Sequence, residues 1–208
     1  GFVKANKKKF IDFTLQDHSP APQTSTPVAV FMAGTPGAGK TEIAKSLMSL
    51  FEYEPVRIDA DEYRALIPGY TGANSHIVQS AASLAVEKVF DAIVHKNISF
   101  ILDATFAVGK ATANIKRAIR HGYDTQIYFV YQDPVEAWNF TKHREQKEGR
   151  RVPKDAFVNA YFASRENVKK VKDEFNDQIV LRVIIKNYAS GQHIVHDEVD
   201  DLDSVLPA

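Results

Sequence analysis

Val28-Ala-Val-Phe-Met-Ala-Gly34-Thr-Pro-Gly-Ala-Gly-Lys-Thr41 is an apolar run that ends in a glycine-rich turn. Its last eight residues fit G-x-x-x-x-G-K-[ST], the pattern of a phosphate-binding loop placed between a strand and a helix. Glycines allow the backbone to wrap around phosphates with successive N–H groups pointing inward, and the new helix adds its positive dipole end. Gly34, Thr35, Pro36, Gly37, Ala38, Gly39, Lys40 and Thr41 are therefore the expected nucleotide-binding residues. Lys40 would reach the outer phosphates, and the Thr41 hydroxyl would face magnesium. ATP or GTP is the expected co-substrate and Mg2+ the expected metal.

Apolar runs and amphipathic stretches alternate on both sides of this loop. Candidate strands are Val28–Ala33, Val56–Asp59, Ser99–Asp103, Thr125–Tyr131 and Ile179–Lys186. Between and after them, helices are expected over Lys40–Phe51, Ile77–His95, Lys110–His121, Val135–Lys147 and Asp155–Phe175. The first presents Ile43, Leu47 and Leu50 on one face, and the second has Ile77, Ala81, Ala85, Val89 and Ile93 at four-residue steps. This alternation predicts an α/β fold with a mostly parallel sheet of about five strands and helices on both faces. Residues 1–27 read as a basic, partly helical segment followed by the proline-rich linker Ser19–Pro27. Residues 28–188 are expected to form the P-loop domain, and 189–208 read as an acidic tail, solvated or loosely packed.

Ligands of such sheets bind beyond the carboxyl ends of the strands, so the residues after each strand come first. The second strand closes on Arg57-Ile-Asp59-Ala-Asp61-Glu-Tyr-Arg64. Asp61 opens the following helix and is the expected catalytic base for an attacking hydroxyl, which is a weak nucleophile while protonated. Asp59 would orient metal-bound water or the local backbone on the acceptor side, although Asp-x-Asp before a helix also serves as an N-cap. The third strand ends in Asp103-Ala-Thr105. An apolar strand closing on an acid has the form of a carboxylate that holds magnesium through water, so Asp103 is assigned to metal and substrate and Thr105 to substrate. Positive charge gathers in Lys142-His-Arg144-Glu-Gln-Lys-Glu-Gly149-Arg150-Arg151. Arg144 and Arg150 are expected on a mobile lid over the transferring phosphoryl group, with Gly149 as its hinge. Trp138 and Phe140 read as core residues.

Composition narrows the partners. Lys+Arg and Asp+Glu both number 26, so the chain lacks the net positive field of a nucleic-acid-binding protein. No apolar stretch approaches the roughly 20 residues needed to cross a bilayer. Triphosphate dependence favours a cytoplasmic setting. The chain has no cysteine, which rules out disulfides. A polynucleotide 5′-hydroxyl kinase would use the same loop, acid and lid. A nucleotide-controlled binding module would need neither base nor lid.

The segments Phe31–Thr41, Ile58-Asp-Ala-Asp61-Glu-Tyr-Arg64, Ile101-Leu-Asp-Ala-Thr105 and Gly149-Arg-Arg-Val-Pro-Lys154 together make the chain resemble the zeta toxin family of small P-loop kinases. The resemblance runs from about Pro27 to Asn187. It implies phosphorylation of a hydroxyl on UDP-N-acetylglucosamine or a related UDP-sugar, and restraint by a small antitoxin. Carried over by position, it puts Lys40 and Thr41 on phosphates and magnesium, Asp61 on the base, and Arg144 and Arg150 on the phosphate-facing arginines. Glu87 falls on a substrate-site glutamate of the long helix; without the resemblance it reads as a surface residue. The family's E-G-T-G-R-T is Asp103-Ala-Thr-Phe-Ala-Val108 here, so the arginine expected near Ala107 is missing.

Overall fold

The computed structural model describes residues 1–18, 22 and 25–207. Most of the proline-rich linker therefore lies outside the described residues. Five parallel strands form the sheet: β1 (Val28–Ala33), β2 (Val56–Asp59), β3 (Phe100–Asp103), β4 (Asp124–Tyr131) and β5 (Val180–Asn187). A sixth strand, β6 (Gln192–His196), pairs antiparallel with β5, giving the order β2-β3-β1-β4-β5-β6. The sheet thus has one more strand than the sequence predicts. Ile194 and Val195 of β6 are both largely exposed, so this edge strand lacks the burial pattern that identifies the others.

β1 is covered on both faces, and its alternation shows how. Ala29, Phe31 and Ala33 point into the larger core, whereas Val30 and Met32 point into the smaller one beneath α3 (Lys40–Met48). Phe31 meets the rings of Phe90, Phe100 and Phe106 at 6.2, 5.5 and 6.3 Å. The larger core is closed by α5 (Ser75–His95), α6 (Ala111–Arg120) and α8 (Lys154–Phe175). The remaining helices are α1 (Phe2–Ala5), α2 (Lys7–Leu15), α4 (Ala60–Ala65) and α7 (Pro134–Glu148). No helix among the described residues is long and apolar enough to cross a membrane.

Three expectations need correction. α3 ends at Met48, which leaves Leu50 beyond the helix and exposed. On α5 the buried face begins at Val78, and Ile77 is exposed. Four-residue steps overshoot a 3.6-residue turn by about 40°, so the stripe read back from Ile93 drifts out of the core by Ile77. The tail is not merely solvated. Val199, Leu202 and Leu206 are buried in the larger core, while Asp203 pairs with Arg165 and Lys169 of α8.

Candidate active site

The chain leaves β1 through Gly34, whose φ of +126° suits glycine and whose N–H donates to the Thr105 carbonyl at 3.2 Å. A Cβ here would lie 2.3 Å from the Val130 carbonyl oxygen of β4, so the loop can emerge between β3 and β4 only without a side chain. Gly37 (φ +79°) is pressed against the Ala137 carbonyl of α7, and Gly39 (φ +85°) stands at the N-cap of α3. Lys40 folds back over the loop, and its Nζ donates to the carbonyls of Gly34 (3.0 Å) and Thr35 (2.5 Å). Burial pushes the Lys40 ammonium down to about 8, with Arg150 and Arg144 adding to the effect and Asp103 and Asp59 opposing it.

Parallel pairing of β2 with β3 sets Asp59 opposite Asp103 at the same edge. Arg57 bridges them: its Nη1 donates to Asp59 Oδ2 at 2.6 Å and to Asp103 Oδ2 at 3.0 Å, and its Nη2 donates to Glu62. The other Asp59 oxygen accepts the Asp61 N–H at 2.8 Å, capping α4. Both Asp59 oxygens are thus engaged within the protein. The Asp103 carboxyl is held above the usual carboxylate range, first by burial and then by Asp59, with the Thr41 hydroxyl, Lys40 and Arg57 opposing. Neither Arg57 nor Glu62 was singled out from the sequence. A strand puts Arg57 and Asp59 on one face (i, i+2), and that spacing was the available signal.

Asp61 lies in the first turn of α4, with its side chain about one-third exposed (32%). Oδ1 accepts from Arg64, and Oδ2 accepts from Arg150 across 89 residues of chain. The Arg144 Nη2 stands 3.9 Å from the same oxygen and donates at 3.0 Å to Glu148. Burial lowers the guanidinium pKa of both Arg64 and Arg150, and no partner meets the buried Nε of Arg64. Arg64 also donates to Gln79 of α5, linking the base candidate to the long helix. Gly149, at φ +70°, ends α7 just before Arg150.

The other expected residues divide. The Thr105 carbonyl anchors Gly34, and its hydroxyl faces the Ala107 N–H at 3.4 Å. Glu87 pairs with Lys110 and sits two turns past Gln79, about 12 Å further along α5, apart from the group around Asp61. Trp138 and Phe140 are half-buried. They meet Phe157 at 5.2 Å and the exposed Tyr188 at 4.8 Å, so neither lies in the main core. Sequence reading also missed Asn167 on α8, whose amide donates to the Phe106 carbonyl at 2.9 Å and holds the loop after β3. Phe106 in that loop has φ +61°, a conformation that costs a non-glycine residue of order 1 kcal/mol or more.

A glycine-rich loop at the carboxyl edge of a parallel sheet, with acids from β2 and β3 on one side and arginines from α7 and its following loop above, defines a P-loop phosphotransferase of the kinase type. The sequence profile of the zeta toxin family matches residues 12–200, and the chain belongs to that family. Among solved structures, a chain of the PezAT chromosomal toxin–antitoxin system of Streptococcus pneumoniae superposes with a TM-score of 0.72 at 16% identity, over 94% of this chain and 79% of that one. A chain of the AvrRxo1-ORF1:AvrRxo1-ORF2 complex gives a TM-score of 0.70 at 15% identity, over 98% and 70%. A chain of the Pnkp1/Rnl/Hen1 RNA repair complex gives 0.56 at 18% identity, over 91% and 54%. At these identities the likenesses concern the fold. No curated protein sequence matches the chain.

Proposed function

We propose that this protein transfers the γ-phosphoryl group of ATP or GTP to a hydroxyl of a small nucleotide-containing acceptor, most plausibly a UDP-sugar such as UDP-N-acetylglucosamine. One observation carries the reading: Asp61 is paired with Arg150 and lies close to Arg144, and the same two arginines act on Lys40 of the phosphate loop. A carboxylate that can accept a proton is thereby set beside cations suited to a transferring phosphoryl group.

In this scheme the triphosphate lies along Gly34–Thr41, with Lys40 on its outer phosphates. The acceptor hydroxyl gives its proton to Asp61 as its oxygen bonds to the γ-phosphorus. The bond from that phosphorus to the β–γ bridging oxygen breaks, and the electron pair leaves on the nucleoside diphosphate. Arg144 and Arg150 stabilise the charge that spreads over the equatorial oxygens. Arg57 and the cap at Asp61 hold Asp59 and Asp103 in place. Thr41 and Asp103 would hold magnesium, because the Thr41 hydroxyl hydrogen-bonds the buried Asp103 carboxyl and sets two oxygen donors side by side. When bound there, the ion would neutralise charge on the β- and γ-phosphates. Glu87 and Thr105 would contact the far side of the acceptor. Likeness to a chain of a toxin–antitoxin system supports a small antitoxin protein as partner, and dependence on a triphosphate supports a cytoplasmic setting.

The test uses γ-labelled ATP with UDP-sugars, nucleosides and 5′-hydroxyl oligonucleotides as acceptors. Label should move to a UDP-sugar. The Asp61→Asn variant should keep its nucleotide affinity and lose about 10²- to 10⁴-fold in transfer rate, the usual contribution of a general base. Label on oligonucleotides alone would replace the acceptor, and full activity in the variant would remove Asp61 as base.

A further inference from the structure

We infer that the N-terminal helices are a clamp that positions the catalytic half of the site, and that Thr14, Phe10 and Lys9 are positioning residues for Asp61. The inference rests on the reading of Asp61 above; the geometry behind it is separate. α4 carries both Asp61 and Arg64 but has only six residues, fewer than a helix needs to be stable by itself. Something outside α4 must fix it, and α2 does so at three points.

The first is Tyr63, which lies between Asp61 and Arg64 in sequence and is fully buried. Its ring meets Phe10 at 5.9 Å and 84° and Phe13 at 6.4 Å and 77°, both edge-on arrangements that aromatic pairs favour. The second is polar. The Thr14 hydroxyl donates to the Phe10 carbonyl at 2.9 Å, so its oxygen is free to accept from the Tyr63 hydroxyl at 2.7 Å. Each hydroxyl proton has one acceptor, and the chain runs Tyr63 to Thr14 to the α2 backbone. The third is at the other end of α4, where Lys9 Nζ donates to the carbonyl of Leu66, the C-cap residue, at 3.3 Å. A cation there also complements the helix dipole.

These contacts hold the middle and the C-terminal end of α4 from one neighbouring helix, and the Asp59 cap holds its N-terminal end. α2 is seated in turn on α5, and Phe10 is as buried as any residue of the main core. α1 adds Val3 to that core and packs the Phe2 ring edge-on against Phe10 at 6.4 Å. The phosphate loop has no part in the arrangement. Loosening the clamp should therefore disturb proton transfer and leave the triphosphate site intact.

The experiment compares the full chain with Thr14→Val, Thr14→Ser and Lys9→Met, and runs Asp61→Asn alongside. Thr14→Val keeps the shape but cannot accept the Tyr63 proton; Thr14→Ser keeps the acceptor. Amide hydrogen exchange across residues 60–66 is read with kcat, KM and nucleotide affinity. The expected result for Thr14→Val is at least tenfold faster exchange in α4 with α3 unchanged, and kcat lowered about fivefold or more with nucleotide affinity within twofold. Lys9→Met should shift both readouts the same way, and Thr14→Ser should restore both. Unchanged α4 exchange in Thr14→Val and Lys9→Met would overturn the clamp, as would a loss that follows nucleotide affinity. Faster α4 exchange with kcat unaffected in both Thr14→Val and Asp61→Asn would leave the clamp standing and remove Asp61 as base.

Discussion

Lys40 occupies the phosphate loop with its proton weakly held. Its ammonium is buried and bonded to two carbonyls, and it titrates near 8 rather than at the ordinary 10.5. The unfolded chain therefore binds this proton more tightly than the folded one between those values. The group's contribution to stability is unfavourable at neutral pH and is relieved as pH rises from about 8 toward 10.5. A bound triphosphate would supply the negative charge that Lys40 lacks and return its pKa upward. We expect proton uptake on nucleotide binding at pH 9 and little at pH 7, measured by calorimetry in buffers of different ionisation enthalpy. A Lys40→Arg variant, charged throughout, should abolish the uptake. Absence of uptake at pH 9 would mean that the loop does not hold Lys40 as described.

At the scale of elements, the C-terminal segment combines an apolar stripe with an acidic face. Val199, Leu202 and Leu206 recur at intervals of three and four and face the core; Asp200 and Asp203 meet Lys172, Lys169 and Arg165. Leu202, 1% exposed, should carry most of the anchoring. Leu202→Ala is expected to destabilise the fold by about 2–5 kcal/mol, read from the urea midpoint, because it opens a cavity in a packed core. Neutralising the partly exposed Asp203 should cost far less, since solvent already screens its pairs. A reversed ranking would make the tail an electrostatic strap.

The same element shows what sequence reading could and could not see. Val28–Ala33 was legible because a strand covered on both faces reads as a continuous apolar run, and the edge strand Val56–Asp59, also located to the residue, because Val56 and Ile58 alternate with Arg57 and Asp59. β6 was not, because an exposed edge strand carries no such run. The tail's stripe was present but outweighed by its five acids. In the site, motif spacing singled out Gly34–Thr41, Asp61, Arg144 and Arg150, and the last three meet in the structure. Arg64 and Asn167 act through contacts between segments distant in sequence, so nothing along the chain marked them, and Arg57 was marked only by its two-residue spacing from Asp59.

Across the molecule the site is assembled from two bodies. Acids and loop are fixed to the sheet, whereas Arg144 and Arg150 come from the end of α7 and the loop that Gly149 begins. If Arg150 acts mainly in the transition state, Arg150→Ala should lower kcat by about 10³-fold with ground-state nucleotide affinity little changed, as removal of an arginine finger does. Stopped-flow binding and steady-state turnover would separate the two, and an unaltered kcat would remove the lid from the mechanism.

The pairing of Arg150 with Asp61 joins these two parts of the site. If Asp61 is the base, guanidinium groups hold both of its oxygens, Arg64 on Oδ1 and Arg150 on Oδ2, and its affinity for a proton stays low until one of them leaves. An incoming alcohol that arrived first would find its proton acceptor already claimed, and the negative triphosphate is the reactant able to draw the arginine off. Turnover should then follow a compulsory sequence of addition, nucleotide ahead of alcohol, visible as uncompetitive inhibition by an unreactive acceptor analogue against the triphosphate.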